Sequence, residues 1–163
     1  MSRIQLQYGM KTIAGTFFIM LSLLSCGEKT ATDAEKDDQL PITGTWKLIT
    51  GTLIEKGDTT ITDYTKNTSF IKIINDTHFA FLQHDLNKGK DSTAAFSSGG
   101  GTYSLKDSTY SEHLEYCTAR EWEGSDFPFT IEIKNDTLVQ RGVEKVVSAG
   151  VDRLNIEKYV RMK

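Results

Sequence analysis

From Pro41 onward the chain alternates apolar and polar residues with a period of two, and no helical stripe runs through it. That alternation places successive side chains on opposite faces of an extended backbone, which commits the segment to half-buried sheet. The pattern predicts strands at 44–55, 67–74, 77–84, 101–106, 109–117, 127–134, 137–141 and 154–162, with a shorter one at 92–97. Polar pairs separate several of them: Asn75-Asp76, Asp107-Ser108 and Asn135-Asp136, each followed by a threonine. Asn and Asp accept the tight turns that join antiparallel neighbours. Hairpins at this spacing build a meander, and closing about eight strands removes the unpaired sheet edges. The expected fold is all-β: an antiparallel up-and-down meander closed into a barrel.

The turns also predict which residues face inward. With Asp107-Ser108 as a turn, Leu105 opposes Tyr110, Tyr103 opposes Glu112 and Gly101 opposes Leu114. One face then carries Tyr103, Leu105, Tyr110, Glu112, Leu114 and Tyr116, and it is the apolar one. An interior carboxylate needs a hydrogen bond or a raised pKa, and Tyr103 is the expected donor to Glu112. Around Asn135-Asp136, Phe127, Phe129, Ile131 and Ile133 align with Leu138 and Gln140, leaving Thr130, Glu132 and Arg141 to solvent. The hairpin at Asn75-Asp76 is apolar on both sides: Ile71, Ile73, His78, Ala80, Leu82 and His84 on one, Phe70, Lys72, Phe79, Phe81 and Gln83 on the other. Either can be the core.

The N-terminal region has a different character. An apolar run from Ile13 to Leu24 ends in Leu23-Leu24-Ser25-Cys26. Its length suits a secretory h-region of about 7–15 residues and falls short of the ~20 needed to span a bilayer. Leucine three places before a cysteine, with a small serine between, resembles a bacterial lipoprotein signal. Residues 1–25 are therefore read as a signal peptide, its start at Met1 or at Met10, with Cys26 as the lipidated N-terminus of the mature chain. Multiple acyl chains on Cys26 would suffice to hold it on a lipid bilayer. Gly27 stands where such signals carry an Asp for inner-membrane retention, so the resemblance implies the outer membrane. Residues 27–39 are charged and lack large apolar groups, which makes 26–40 a flexible tether and 41–163 the globular domain.

Formal charge is −3, and removal of Arg3 and Lys11 with the signal makes it −5. An acidic chain lacks the basic surface that nucleic acid requires. With Cys26 acylated, Cys117 is alone and no internal disulfide is expected.

Gly44-Thr45-Trp46 opens the first strand, and Arg161 lies on the last. Gly-x-Trp at the head of an all-β chain of this length is similar to the lipocalin and calycin barrels. There a basic residue on the last strand meets the first-strand Trp, which implies barrel closure by Trp46 and Arg161. Thr77-His78-Phe79-Ala80, Gly99-Gly100-Gly101-Thr102-Tyr103 and Tyr110-Ser111-Glu112 resemble, in that order, the lipocalin-like domain of uncharacterised bacterial lipoproteins. The resemblance implies a lipocalin-like barrel and brings no known activity.

Little in the chain suggests catalysis. It has no nucleophile elbow and no phosphate loop. Gly99-Gly100-Gly101 precedes a strand, where a bulge or bend accounts for it better than an anion cradle. His78 and His84 are about 20 Å apart along a strand, and His113 and Cys117 about 13 Å, so neither pair can share a metal ion. No cofactor, metal site or catalytic residue is expected, and the one chemistry left open is proton transfer to a bound ligand by Glu112 with Tyr103, Tyr110 and His78. The expected role is binding of a small apolar or amphipathic ligand in the barrel, with Glu112, Tyr103, Tyr110, Tyr116 and His78 around its polar end. Phe127, Phe129 and Ile131 supply apolar wall. The rival reading is a filled barrel acting through its surface in the cell envelope, its protein partner unknown. Loops at 85–100, 118–126 and 142–153, carrying Phe96 and Trp122, are expected around the barrel ends.

Overall fold

The computed structural model describes Leu40–Lys163; the expected signal peptide, Cys26 and all of the expected tether before Leu40 lie outside the described residues. The strands are β1 (Gly44–Glu55), β2 (Asp58–Asp63), β3 (Thr68–Ile74), β4 (His78–Asp85), β5 (Phe96–Lys106), β6 (Thr109–Cys117), β7 (Asp126–Lys134), β8 (Thr137–Val146) and β9 (Val151–Arg161). Two short 3₁₀ turns, Arg120–Trp122 and Val147–Ala149, interrupt the connections. From β3 to β9 each strand pairs with the next, and β1 pairs with both β3 and β9. These pairings close an eight-stranded antiparallel barrel, with β2 as an extra strand on the far half of β1. The domain is a closed, all-β, up-and-down antiparallel barrel.

One end of the barrel carries the three tight hairpins. Asp107-Ser108 and Asn135-Asp136 form two-residue turns, pairing Lys106 with Thr109 and Lys134 with Thr137. Asn135 and Asp136 both have positive φ, at 49° and 59°, the backbone of a type I′ turn. The third turn is longer than its sequence suggests. The Asn75 carboxamide accepts the N–H groups of Thr77 (2.9 Å) and His78 (2.7 Å), and Ile74 pairs with Phe79. The register thus slips by two residues, which preserves the faces.

The same end is plugged by the segment leading into β1. Ile42 is buried, and its carbonyl accepts the Trp46 indole N–H at 2.7 Å. The Arg161 guanidinium lies 4.0 Å from the Trp46 ring and donates to the carbonyls of Thr43 (2.7 Å) and Pro41 (2.6 Å). Gly44 leaves room for this contact, since a Cβ there would sit 2.6 Å from Arg161 Nη1. Trp46 and Arg161 are register partners across the β1–β9 seam, so one stacked cation holds both the seam and the plug.

The apolar core, from Ile42 and Trp46 through Tyr110, Phe129 and Leu138 to Tyr159, is contained within this segment. Among the described residues the barrel thus carries a core of its own, as a domain able to fold alone must.

Three expectations about the strands are corrected. Residues 142–153 are mostly not a loop: β8 and β9 stay paired from Gly142–Asn155 out to Val146–Val151, with Gly150 turning at φ +67°. β5 begins at Phe96, so the predicted 92–97 and 101–106 strands belong to one, and the loop between β4 and β5 spans only 86–95. β2 went unpredicted because every one of its residues is exposed and no apolar face marks it.

Candidate functional site

The inward face of β3 carries Phe70, Lys72 and Ile74, so an ammonium group enters the barrel interior between apolar neighbours. Lys72 is 3% exposed. Its Nζ donates to Glu112 Oε1 on β6 at 2.6 Å and to Gln140 Oε1 on β8 at 3.0 Å. Three rings surround it at 5.5–5.7 Å from their centroids, those of Phe79, Tyr110 and Tyr159. Four strands thus meet at one polar cluster across the barrel. Burial pushes the Glu112 carboxyl above the ordinary glutamate value, and the Lys72 charge opposes that rise. Beside it, burial and the Glu112 charge push the Tyr110 phenol well up. The Tyr110 hydroxyl is enclosed, faces Glu112 and has no well-formed hydrogen bond. Tyr159 donates to Glu157 Oε2 at 2.8 Å.

Above this polar floor the barrel is hollow. A cavity of about 320 Å³ runs from Lys72, Glu112, Gln140 and Tyr159 toward the end opposite the hairpins. Its walls are largely aromatic. Phe70 and Phe81 stack at 5.7 Å, Tyr64 meets Phe70 edge-on, and Phe127 and Phe129 line the other side with Leu114. At the mouth, Glu144 accepts from Arg153 Nε and Asn155 Nδ2, both at 2.7 Å. The 3₁₀ turn Arg120–Trp122 sets the Trp122 ring between Phe127 (5.7 Å) and the Arg153 guanidinium (5.3 Å). Ser148 Oγ bonds the Glu121 carbonyl at 3.1 Å and ties the two 3₁₀ turns together.

The predicted site residues divide into three groups. Glu112, Phe127 and Phe129 line the cavity. Tyr110 and Ile131 are buried in the core outside its lining, and Tyr103 is half-buried at the hairpin end. Tyr103 donates its hydroxyl to the Asn75 carbonyl at 2.7 Å, so the expected Tyr103–Glu112 bond is replaced by the Lys72–Glu112 pair. His78 and Tyr116 lie outside the barrel and are corrected. His78 belongs to the outward face of β4 and bonds the Thr77 hydroxyl at 2.7 Å. Tyr116 is 68% exposed because β6 carries a bulge: Gly101 pairs with Leu114 but Gly100 pairs with Tyr116, leaving Glu115 as the extra residue. Beyond the bulge, Tyr116 turns out and Cys117 turns toward the cavity. Of the two loop aromatics, Phe96 is exposed on β5 and Trp122 packs at the mouth.

Sequence reasoning missed Lys72, Gln140, Glu144, Arg153, Asn155 and Glu157. One signal was available for the first. An interior Glu112 calls for a cation, and Lys72 is the one charged residue in the apolar run Phe70–Ile74. The residues on β8 and β9 lay in or beside a segment read as loop.

The result is an eight-stranded up-and-down barrel, open at one end and plugged at the other, that encloses an interior chamber. Among solved structures it is similar to a lipocalin-like protein from Bacteroides uniformis ATCC 8492, with 15% identity, 74% of this chain and 97% of that chain covered, and a TM-score of 0.43. An uncharacterized protein from Bacteroides eggerthii DSM 20697 gives 14% identity, 74% and 98% coverage and the same TM-score of 0.43. No family model matches the sequence, and no curated protein matches it.

Proposed function

We propose that the protein is a lipid-anchored binding protein of the cell envelope that holds a small, partly hydrophobic molecule inside its barrel. The observation that carries this reading is the chamber: about 320 Å³, aromatic on its walls, polar on its floor and open at one end. Ligand sites start near this size, at roughly 300 Å³, and combine apolar walls with a few placed polar groups in this way. A filled barrel would put side chains where the chamber is, so the hollow favours binding over the surface-acting reading. The anchor rests on Leu23-Leu24-Ser25-Cys26, with the outer membrane read from Gly27.

The domain, residues 40–163, is expected to bind the neutral dye Nile red at one site, seen as a rise in fluorescence. Ala119→Trp, which puts an indole at the cavity lining, should weaken that binding about tenfold while leaving the circular dichroism unchanged. Native mass spectrometry of domain purified gently from its own host should show a retained small molecule. A bare mass together with dye binding indifferent to Ala119→Trp would return the reading to a surface-acting barrel. In the full chain, Cys26→Ser should move the protein out of the lipidated membrane pool, as judged by loss of labelled palmitate; retained label would rule out Cys26 as the anchor.

A further inference from the structure

We infer that the ligand presents a cationic nitrogen, an amine or ammonium group, to the chamber. This inference rests on the binding reading above and goes further by assigning the sign of the ligand's charge. Two cations and three carboxylates line the cavity. Each cation already has a carboxylate: Lys72 holds Glu112 at 2.6 Å, and Arg153 holds Glu144 at 2.7 Å. Glu157 is left over. Its carboxylate accepts the Tyr159 hydroxyl at 2.8 Å, and among the described residues no cation lies within ion-pair distance of it.

Glu157 is placed to act with the floor. It sits opposite Gln140 in the β8–β9 register, and Gln140 shares Lys72 with Glu112. Its charge reaches Glu112 and helps hold that carboxyl's affinity for protons up. The unpaired carboxylate and the floor therefore act on the same part of the cavity. The walls add to the same sign, because the faces of Tyr64, Phe70 and Phe81 offer negative potential to a cation. A carboxylate or phosphate ligand would find both cations neutralised by short ion pairs and an uncompensated carboxylate nearby. With Glu112 ionised the lining is negative and with Glu112 protonated it is neutral; in neither state does it attract an anion. An ammonium placed by Glu157 completes the pairing and favours the ionised form of Glu112.

The test uses three probes of one chain length, decylamine, decanol and decanoate, each displacing Nile red from residues 40–163 at neutral pH. The amine should compete about tenfold better than the alcohol, and the carboxylate worse than the alcohol. Glu157→Gln, with its fold checked by near-ultraviolet circular dichroism, should reduce the amine-to-alcohol ratio to about one. Decanoate competing as well as decylamine, or an amine preference that survives Glu157→Gln, would overturn the inference while leaving the binding reading intact. Failure of all three probes to compete would overturn the binding reading, and this inference with it.

Discussion

Lys72→Met should destabilise the domain by about 3–5 kcal/mol at neutral pH, because it strands the Glu112 carboxylate in the barrel interior. Both groups are nearly inaccessible, with side chains 3% and 9% exposed and 2.6 Å between their charged atoms. The attraction between them offsets desolvation that neither tolerates alone. Methionine keeps most of the volume, so the loss is electrostatic and the packing term stays small. The partner variant isolates the cause. Lys72→Met combined with Glu112→Leu removes both charges and should recover most of the lost stability, as replacing buried pairs by apolar groups commonly does.

The pH dependence follows from the Glu112 shift. Burial raises this carboxyl in the folded state, so the native protein binds an extra proton between the ordinary glutamate value and the raised one. Stability contributed by that proton is present at low pH and is lost as pH rises through this window. Removing Lys72 takes away the charge that opposes the rise, so the window widens upward in the variant. The deficit of Lys72→Met should therefore be smaller near about pH 5 than near about pH 8 in urea melts, and Glu112→Gln should flatten the slope. Asp63, held near 2 by the Thr65 hydroxyl and amide, acts in the opposite sense and only at much lower pH. A Lys72→Met deficit below about 1 kcal/mol at neutral pH would mean the pair is not a structural unit.

The same pair explains why the site was harder to read than the fold. Hairpin registers were legible because two kinds of information agreed there: turn residues that accept positive φ, and alternation that gives each strand one apolar face. The Tyr103–Glu112 and Ile131–Gln140 pairings follow directly from those two. Where only one kind was present, the reading stopped. β3 and β4 are apolar on both faces, with Ile73 and Leu82 still 41% and 38% exposed, so alternation could not place Lys72 inside. β2 has no buried face at all. The β8–β9 extension puts Glu144 and Asn155 inward, and polar residues there break the apolar rhythm that marks a strand. The polar residues of the chamber were thus hidden by standing at interior positions.

The glycine run was read as a bulge or bend, the register shift at Gly100–Gly101 is such a bulge, and Gly101 carries the second large expected effect. Gly101→Ala should cost about 3 kcal/mol or more, whereas Ser104→Ala on the exposed face of the same strand should change stability by less than about 0.5 kcal/mol. A Cβ on Gly101 would stand 1.9 Å from the His113 carbonyl oxygen and 2.8 Å from the Glu115 amide nitrogen. Those are backbone atoms of the opposing strand, so no rotamer change relieves the clash; β5 and β6 must separate. They cannot do so locally, because the Glu115 bulge sits at this point and sets the phase of the strand beyond it. Opening it would release the alternation that turns Tyr116 out and Cys117 toward the cavity. The effect should therefore appear twice in one experiment: a lower urea midpoint, and a change in the rate at which a thiol reagent modifies Cys117 in the folded protein. Stability within about 1 kcal/mol of the parent, with Cys117 labelling unchanged, would show that the strands accommodate a methyl group and that the bulge does not depend on this glycine.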